Sequence, residues 1–162
     1  MRHGKASWAE PGMKDFDRSL DEKGIQEAVA MGQAMVGKRL IPEKIICSNA
    51  VRAKQTLAHV NESLGLHDKT IFTDELYATD APGYLEIASR ITDVDDVMLV
   101  GHNPMLEDLA IGLAVSGDEE AMYELQMGFR TAGLAVIAFD GPPVDFESLT
   151  GKLEAYLTPA QL

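Results

Sequence analysis

The chain has 162 residues, enough for one domain with a single substantial core. Hydrophobic residues make up 46% and charged residues 25%, with no apolar run long enough to span a bilayer, so a disordered chain and a helical membrane protein are both excluded. The formal charge of −12 repels nucleic-acid phosphates and anionic lipid, which removes both as general partners and requires any anionic ligand to meet a local cluster of positive charge.

The first residues carry no signal-peptide pattern, and the single cysteine, Cys47, has no partner within the chain. The expectation is a cytoplasmic, reduced protein. Arg2, His3 and Gly4 stand together before any regular element. Ser19 and Glu22 then have capping-box spacing, and Ile25, Ala28, Val29, Gly32, Met35 and Val36 recur on one face of a helix running to about Lys38. The run KIICS (44–48) reads as a buried strand, and a second helix is expected from Ser48 through Leu57, Val60 and Leu64, stopped by Gly65. KTIFT (69–73) suggests another strand, APGYLEIASRI (81–91) a short helix, and DVMLVG (96–101) a strand buried on both faces. Pro104 opens a helix through Val115 with Met105, Leu106, Leu109, Ala110 and Leu113 inward, and a further short helix falls near 118–126. AGLAVIAFD (132–140) and KLEAYL (152–157) close the pattern as strands, the second at a sheet edge by its clean alternation, with 140–151 the loosest stretch. Alternating strands and helices specify a single α/β domain over 1–162 with a mostly parallel sheet.

In such a sheet, ligands bind beyond the carboxyl ends of the strands. Three segments fit that position: RHGK (2–5), SNAVRAKQT (48–56) and GHNP (101–104), carrying Arg2, His3, Arg52 and His102. A cationic cluster of this kind in an acidic protein points to phosphate, and a helix starting at Ser48 would add its free amides.

These segments, with DFDRSLDEKG, LVGHNPMLEDLA, TAGLAVIAFDG and the closing LTPAQL, resemble the histidine phosphatase, or phosphoglycerate mutase-like, superfamily and within it the compact SixA-type phosphohistidine phosphatases. The resemblance implies a three-layer α/β/α sandwich. It also implies a strand before the RHG turn, where this chain has only Met1. By the same resemblance His3 is the nucleophile, Arg2 and Arg52 clamp the transferring phosphoryl group, His102 donates to a phosphate oxygen, and Arg18 lies near the phosphate. Glu75, after the third strand, is the candidate general acid. The chemistry requires no metal and no cofactor. The expected partner is a phosphorylated protein bearing phosphohistidine, or a small phosphate ester on the same site; a non-catalytic phosphate-binding protein is the alternative of another class.

Plainer roles compete for several of these residues. Arg18 suits an exposed ion pair with Asp15 or Asp17. Trp8 either lines the pocket mouth or packs beneath the loop. His59 and His67 read as surface residues, Cys47 as a small buried hydrophobe, and Met31, Met35, Met105 and Met127 as core filler.

Overall fold

A computed structural model describes residues 1–141 and 150–162. Its regular elements, in order, are α1 (Glu22–Gly37), β1 (Lys44–Ser48), α2 (Val51–Leu64), β2 (Thr70–Thr73), α3 (Glu75–Ala78), α4 (Ala81–Ser89), β3 (Val97–Val100), α5 (Met105–Leu113), β4 (Ala114–Gly117), α6 (Glu119–Gln126), β5 (Leu134–Phe139) and β6 (Gly151–Leu157). Two three-stranded ladders form. One is all parallel in the order β2-β1-β3, and the other, in the order β4-β6-β5, pairs β4 with β6 in parallel and β5 with β6 antiparallel.

Residues 1–3 join the two ladders. On one side Gly101 N donates to Met1 O and His3 N to Gly101 O; on the other Arg2 N donates to Gly133 O and Ala132 N to His3 O. The ladder position expected of a strand before the RHG turn is therefore held by Met1–His3 itself, running parallel to the end of β3. Backbone groups buried at this depth need partners, and neighbours on both sides supply them.

Helices cover both faces of the β1–β3 ladder, and the pleat explains how one strand serves two layers. Ile45 and Cys47 of β1 pack with Ala28, Met31 and Met35 of α1 and Ala53, Leu57 and Val60 of α2. Ile46, between them, faces Leu76, Tyr84, Leu85, Leu106 and Leu109 on the opposite side. Full burial of a side chain such as Leu57 contributes about 1.5–3 kcal/mol. Glycine permits the closest approach: a Cβ at Gly4 would lie 2.7 Å from Gly24 O, so the RHG turn can sit directly on α1 only with glycine there.

The structure corrects several sequence expectations. The cap of α1 is Asp21, which accepts from Gly24 N, and not Ser19. Ala28, Gly32 and Met35 are buried as expected, but Gly24 and Met31 replace Ile25 and Val36 on that face, because the helix turns its glycines toward the RHG loop and α2, leaving Ile25 38% and Val36 45% exposed. The second helix begins at Val51, since Asn49 N is taken by Thr73 O and Ala50 N by Ser48 Oγ. The α5 pattern ends at Leu113, where Ala114–Gly117 leave the helix to pair with β6. That pairing also places β6 between two neighbours instead of at an edge. Its alternation arises because Gly151, Leu153 and Tyr156 are buried while Lys152 and Glu154 are exposed. Met127 is exposed, unlike Met31 and Met35. Of the loose stretch at 140–151, residues 142–149 lie outside the described residues.

Candidate active site

The site grows from the junction between the two ladders. His3 leaves its ladder position into the turn, and its Nδ1 lies 2.7 Å from Gly4 O. A carbonyl can only accept, so Nδ1 carries the proton and the lone pair of the neutral ring is on Nε2. Arg52 Nε–H donates to that Nε2 at 3.2 Å. Gly4 N in turn donates to Thr56 Oγ1 at 2.9 Å, and the Thr56 hydroxyl donates to Arg52 O at 2.7 Å. Arg52 and Thr56 are one helical turn apart on α2, so a single helix face delivers the guanidinium and fastens the RHG turn.

His102 follows β3, and its ring centroid lies 5.1 Å from that of His3. Gly101 before it packs on Tyr84, whose hydroxyl accepts from His102 N at 3.1 Å. His102 Nε2 is 2.9 Å from Ser48 Oγ at the end of β1. Ala50 N also donates to that oxygen; when the Ser48 hydroxyl donates its hydrogen to Nε2, the His102 proton is carried on Nδ1. Among the described residues, His102 Nδ1 and Arg2 Nε are buried nitrogens without a protein partner, the first a donor in the Nδ1–H form of the ring. Both are suited to an oxyanion. Arg2 is oriented by NH1 donating to Phe129 O at 2.6 Å, and the Phe129 segment is held by Glu107, which accepts from Phe129 N and Asn103 Nδ2.

Both imidazoles are kept neutral. Burial pushes His3 down to about 3, with His102, Arg52 and Arg2 adding to the effect and the bond to Gly4 opposing it. Burial likewise lowers His102 to about 4, helped by Arg52 and Arg2 and opposed by Asp15. A neutral His3 has a lone pair to give, and a neutral His102 still has one N–H. The arrangement therefore offers a nucleophilic nitrogen, two guanidinium groups and an imidazole donor to one small anion.

A profile described as "Histidine phosphatase superfamily (branch 1)" matches residues 1–80. The fold is similar to the crystal structure of a protein assigned as the phosphohistidine phosphatase SixA of Agrobacterium tumefaciens, at 33% identity and a TM-score of 0.82, covering 98% of this chain and 95% of that one. The chain belongs to the histidine phosphatase superfamily. Within this superfamily its relatives include the phosphohistidine phosphatase SixA of Escherichia coli, 27% identical over 100% of this chain and 93% of that protein. A structure of the protein histidine phosphatase SixA complexed with tungstate is 25% identical with a TM-score of 0.78, covering 99% of this chain and 96% of that one. The protein is accordingly a phosphatase of the histidine phosphatase superfamily, with the phosphoglycerate mutase-like fold of its SixA relatives.

Among the sequence-selected residues of this histidine phosphatase, Arg2, His3, Arg52 and His102 come together. Arg18 stands one step back: its NH1 pairs with Asp15 at 2.8 Å and its Nε donates to Ser7 O at 2.8 Å. Glu75 is at the start of α3 with its carboxylate held by Arg90 NH1 at 3.0 and 2.8 Å, and it touches none of the four. Two residues on, Tyr77 does reach the site, its ring edge-on to His102 with centroids 5.3 Å apart. Trp8 is 92% exposed, so it does not pack beneath the loop. Sequence reasoning named Asp15 only as an ion-pair partner of Arg18, a pair the structure contains, and passed over Ser48 as a His102 partner, Thr56, Tyr77 and Glu107. Thr56 was accessible from its four-residue spacing to Arg52, whereas nothing local marks Tyr77 or Glu107.

Among the described residues, no group of three or more His, Cys, Asp or Glu side chains is placed to hold a metal ion. No helix among them is long and apolar enough to cross a membrane.

Proposed function

We propose that the protein hydrolyses phosphohistidine on a protein substrate through a covalent phosphohistidine formed at His3. The observation that carries this reading is the fixed tautomer of His3, with Nδ1–H on Gly4 O and the Nε2 lone pair beside Arg52. In the first step that lone pair attacks phosphorus, the bond from phosphorus to the substrate imidazole breaks, and the departing imidazole leaves neutral with its other nitrogen protonated. Water then attacks phosphorus, the bond to His3 Nε2 breaks, and phosphate leaves. Arg52, Arg2 Nε and His102 Nδ1–H stabilise charge on the equatorial oxygens in both steps, with Arg18 supporting the clamp from behind Asp15. Arg52 first has to exchange its hydrogen bond with His3 for one to the phosphoryl group, which frees the nucleophile as substrate arrives.

A protein substrate is supported by the SixA relatives that align over nearly the whole chain and by the exposure of the surrounding rim, from Trp8 through Lys14. Glu75, tied to Arg90, is proposed as proton donor only for alkoxide leaving groups, which cannot depart unaided at neutral pH. The test is a panel of phosphohistidine peptides and phosphorylated metabolites, combined with acid quenching. The proposal expects preferential turnover of phosphohistidine and an acid-labile, alkali-stable phosphoenzyme. Preferential turnover of a metabolite ester would reassign the substrate, and oxyanion binding without any turnover would leave only a binding protein.

A further inference from the structure

Asp15 opens the segment DFDRSLDEKG, from which the sequence nominated Arg18 and not Asp15, yet among the described residues it is the carboxylate bonded to the guanidinium groups of both Arg52 and Arg18. Its backbone carbonyl accepts from Arg52 NH1, and its Oδ2 accepts from Arg52 NH2 at 2.8 Å. Arg52 Nε, on the remaining nitrogen, points to His3 Nε2. Asp15 therefore grips two nitrogens of the guanidinium while the third is directed at the nucleophile. Of the five N–H donors of Arg52, Asp15 holds two, leaving two free for phosphoryl oxygens and a third once Nε–H leaves His3.

The carboxylate is itself fixed from both ends. Oδ1 accepts from Arg18 NH1 at 2.8 Å, and Oδ2 also accepts from the Tyr77 hydroxyl at 2.9 Å. Arg18 continues the chain of contacts through Nε to Ser7 O, a segment paired with Ser19 and Leu20 just beyond the RHG turn. The Tyr77 ring lies 5.9 Å from Arg52 Cζ and packs edge-on against Phe16. Resting on the phosphatase reading above, we infer that Asp15 is a positioning residue, which seats Arg52 with its Nε edge toward the phosphoryl group. A long side chain with several rotatable bonds loses much of its catalytic value when its geometry is left to chance. Hydrogen bonds from Arg18, Tyr77 and Arg52 hold the Asp15 carboxyl well below the usual carboxylate range, so in this seat it is a fixed negative charge and no proton donor.

That charge gives the inference a sign. Neutralising a carboxylate next to an anion site strengthens anion binding if the carboxylate does nothing else. A positioning role has the opposite consequence, because losing the seat costs more than losing the repulsion. Tungstate affinity by titration calorimetry, and kcat and KM on an aryl phosphate, should be measured for Asp15→Asn, Asp15→Ala and Asp15→Glu. The expected result is weaker tungstate binding in Asp15→Ala by about tenfold or more, the size of a lost charge-assisted hydrogen bond. kcat should fall with it, and Asp15→Asn should be weaker than wild type despite its lost charge. In an Arg52→Ala background, Asp15→Asn should add little, and guanidinium ion should restore activity to Arg52→Ala far better than to the double variant. Unchanged or tighter tungstate binding in Asp15→Asn, or equal rescue with and without Asp15, would overturn the inference. Should Asp15→Ala fail to fold, Asp15→Asn and the rescue comparison decide. None of these readouts uses phosphohistidine, so a protein that ignores that substrate still tests the role of Asp15.

Discussion

The floor and the rim of the site are built by different means. On the floor, His3 and Ser48 are carried by backbone ladders, and His102 directly follows Gly101, which pairs with Arg2, with its own N–H held by the buried Tyr84 hydroxyl. On the rim, Asp15, Arg18, Tyr77, Glu75 and Arg90 are held mainly by side-chain ion pairs and hydroxyls, with the Asp15 and Glu75 side chains about half exposed. Ladders fix atoms to within fractions of an ångström and are insensitive to salt. Exposed ion pairs are worth little individually and can be exchanged.

Substitutions of His3 and Arg52 should therefore cost the most and of Glu75 the least, with Asp15, through which Arg52 is seated, the exception on the rim. His3→Ala is expected to abolish turnover and leave no trapped phosphoenzyme after acid quench, while keeping measurable tungstate affinity; a phosphoenzyme persisting in this variant would move the nucleophile elsewhere. Arg52→Ala retains the nucleophile and should lower kcat by about 10²–10³-fold, the loss seen when one preorganised donor is removed. Its phosphoenzyme should remain detectable, so that the two variants differ in kind.

Ser48→Ala tests the floor one contact further out. Removing the hydroxyl leaves His102 Nε2 unpaired and the tautomer unspecified, for a loss of up to about tenfold in kcat/KM, matching one net hydrogen bond. Ring nitrogen shifts by NMR should show the Nδ1–H form in the parent and a mixture in the variant. A single unchanged tautomer would show that Ser48 does not set it.

The acid response follows from the same two rings. Their folded values of about 3 and 4 lie below the ordinary 6.5, so the unfolded chain takes up protons that the native site refuses. Stability should hold above about pH 6.5 and fall progressively as pH drops toward 4, by about 1.4 kcal/mol per pH unit for each histidine in that window. Thermal melts of the parent and of His3→Gln across this range check the sign, since the variant should lose less.

The smallest effect is expected on the rim. Glu75→Gln should leave hydrolysis of a phosphohistidine peptide nearly unchanged, because imidazole departs without a proton from Glu75. An alkyl phosphate should slow measurably. Equal losses on both substrates would make Glu75 a general component of the machinery, and no loss on either would confine it to its pair with Arg90.

Within the chain, most of the order of helices and strands (α3 and β4 excepted), the α/β class and the cluster Arg2, His3, Arg52 and His102 were legible because each rests on local pattern: apolar periodicity within an element and a polar turn at its end. Gly65 closing α2 in a left-handed conformation is of the same kind. What local pattern could not supply was the choice among partners. Val115 looked like helix until Ala114–Gly117 found β6, and the alternation of β6 looked like an edge although it has a neighbour on each side. Asp15 and Tyr77, 62 residues apart in sequence, meet across Arg52 only because the chain between them folds back through α1, β1 and α2. Residue type and spacing are set by the sequence; which buried donor meets which acceptor is decided by long-range packing, where each polar group must find a partner once water is gone.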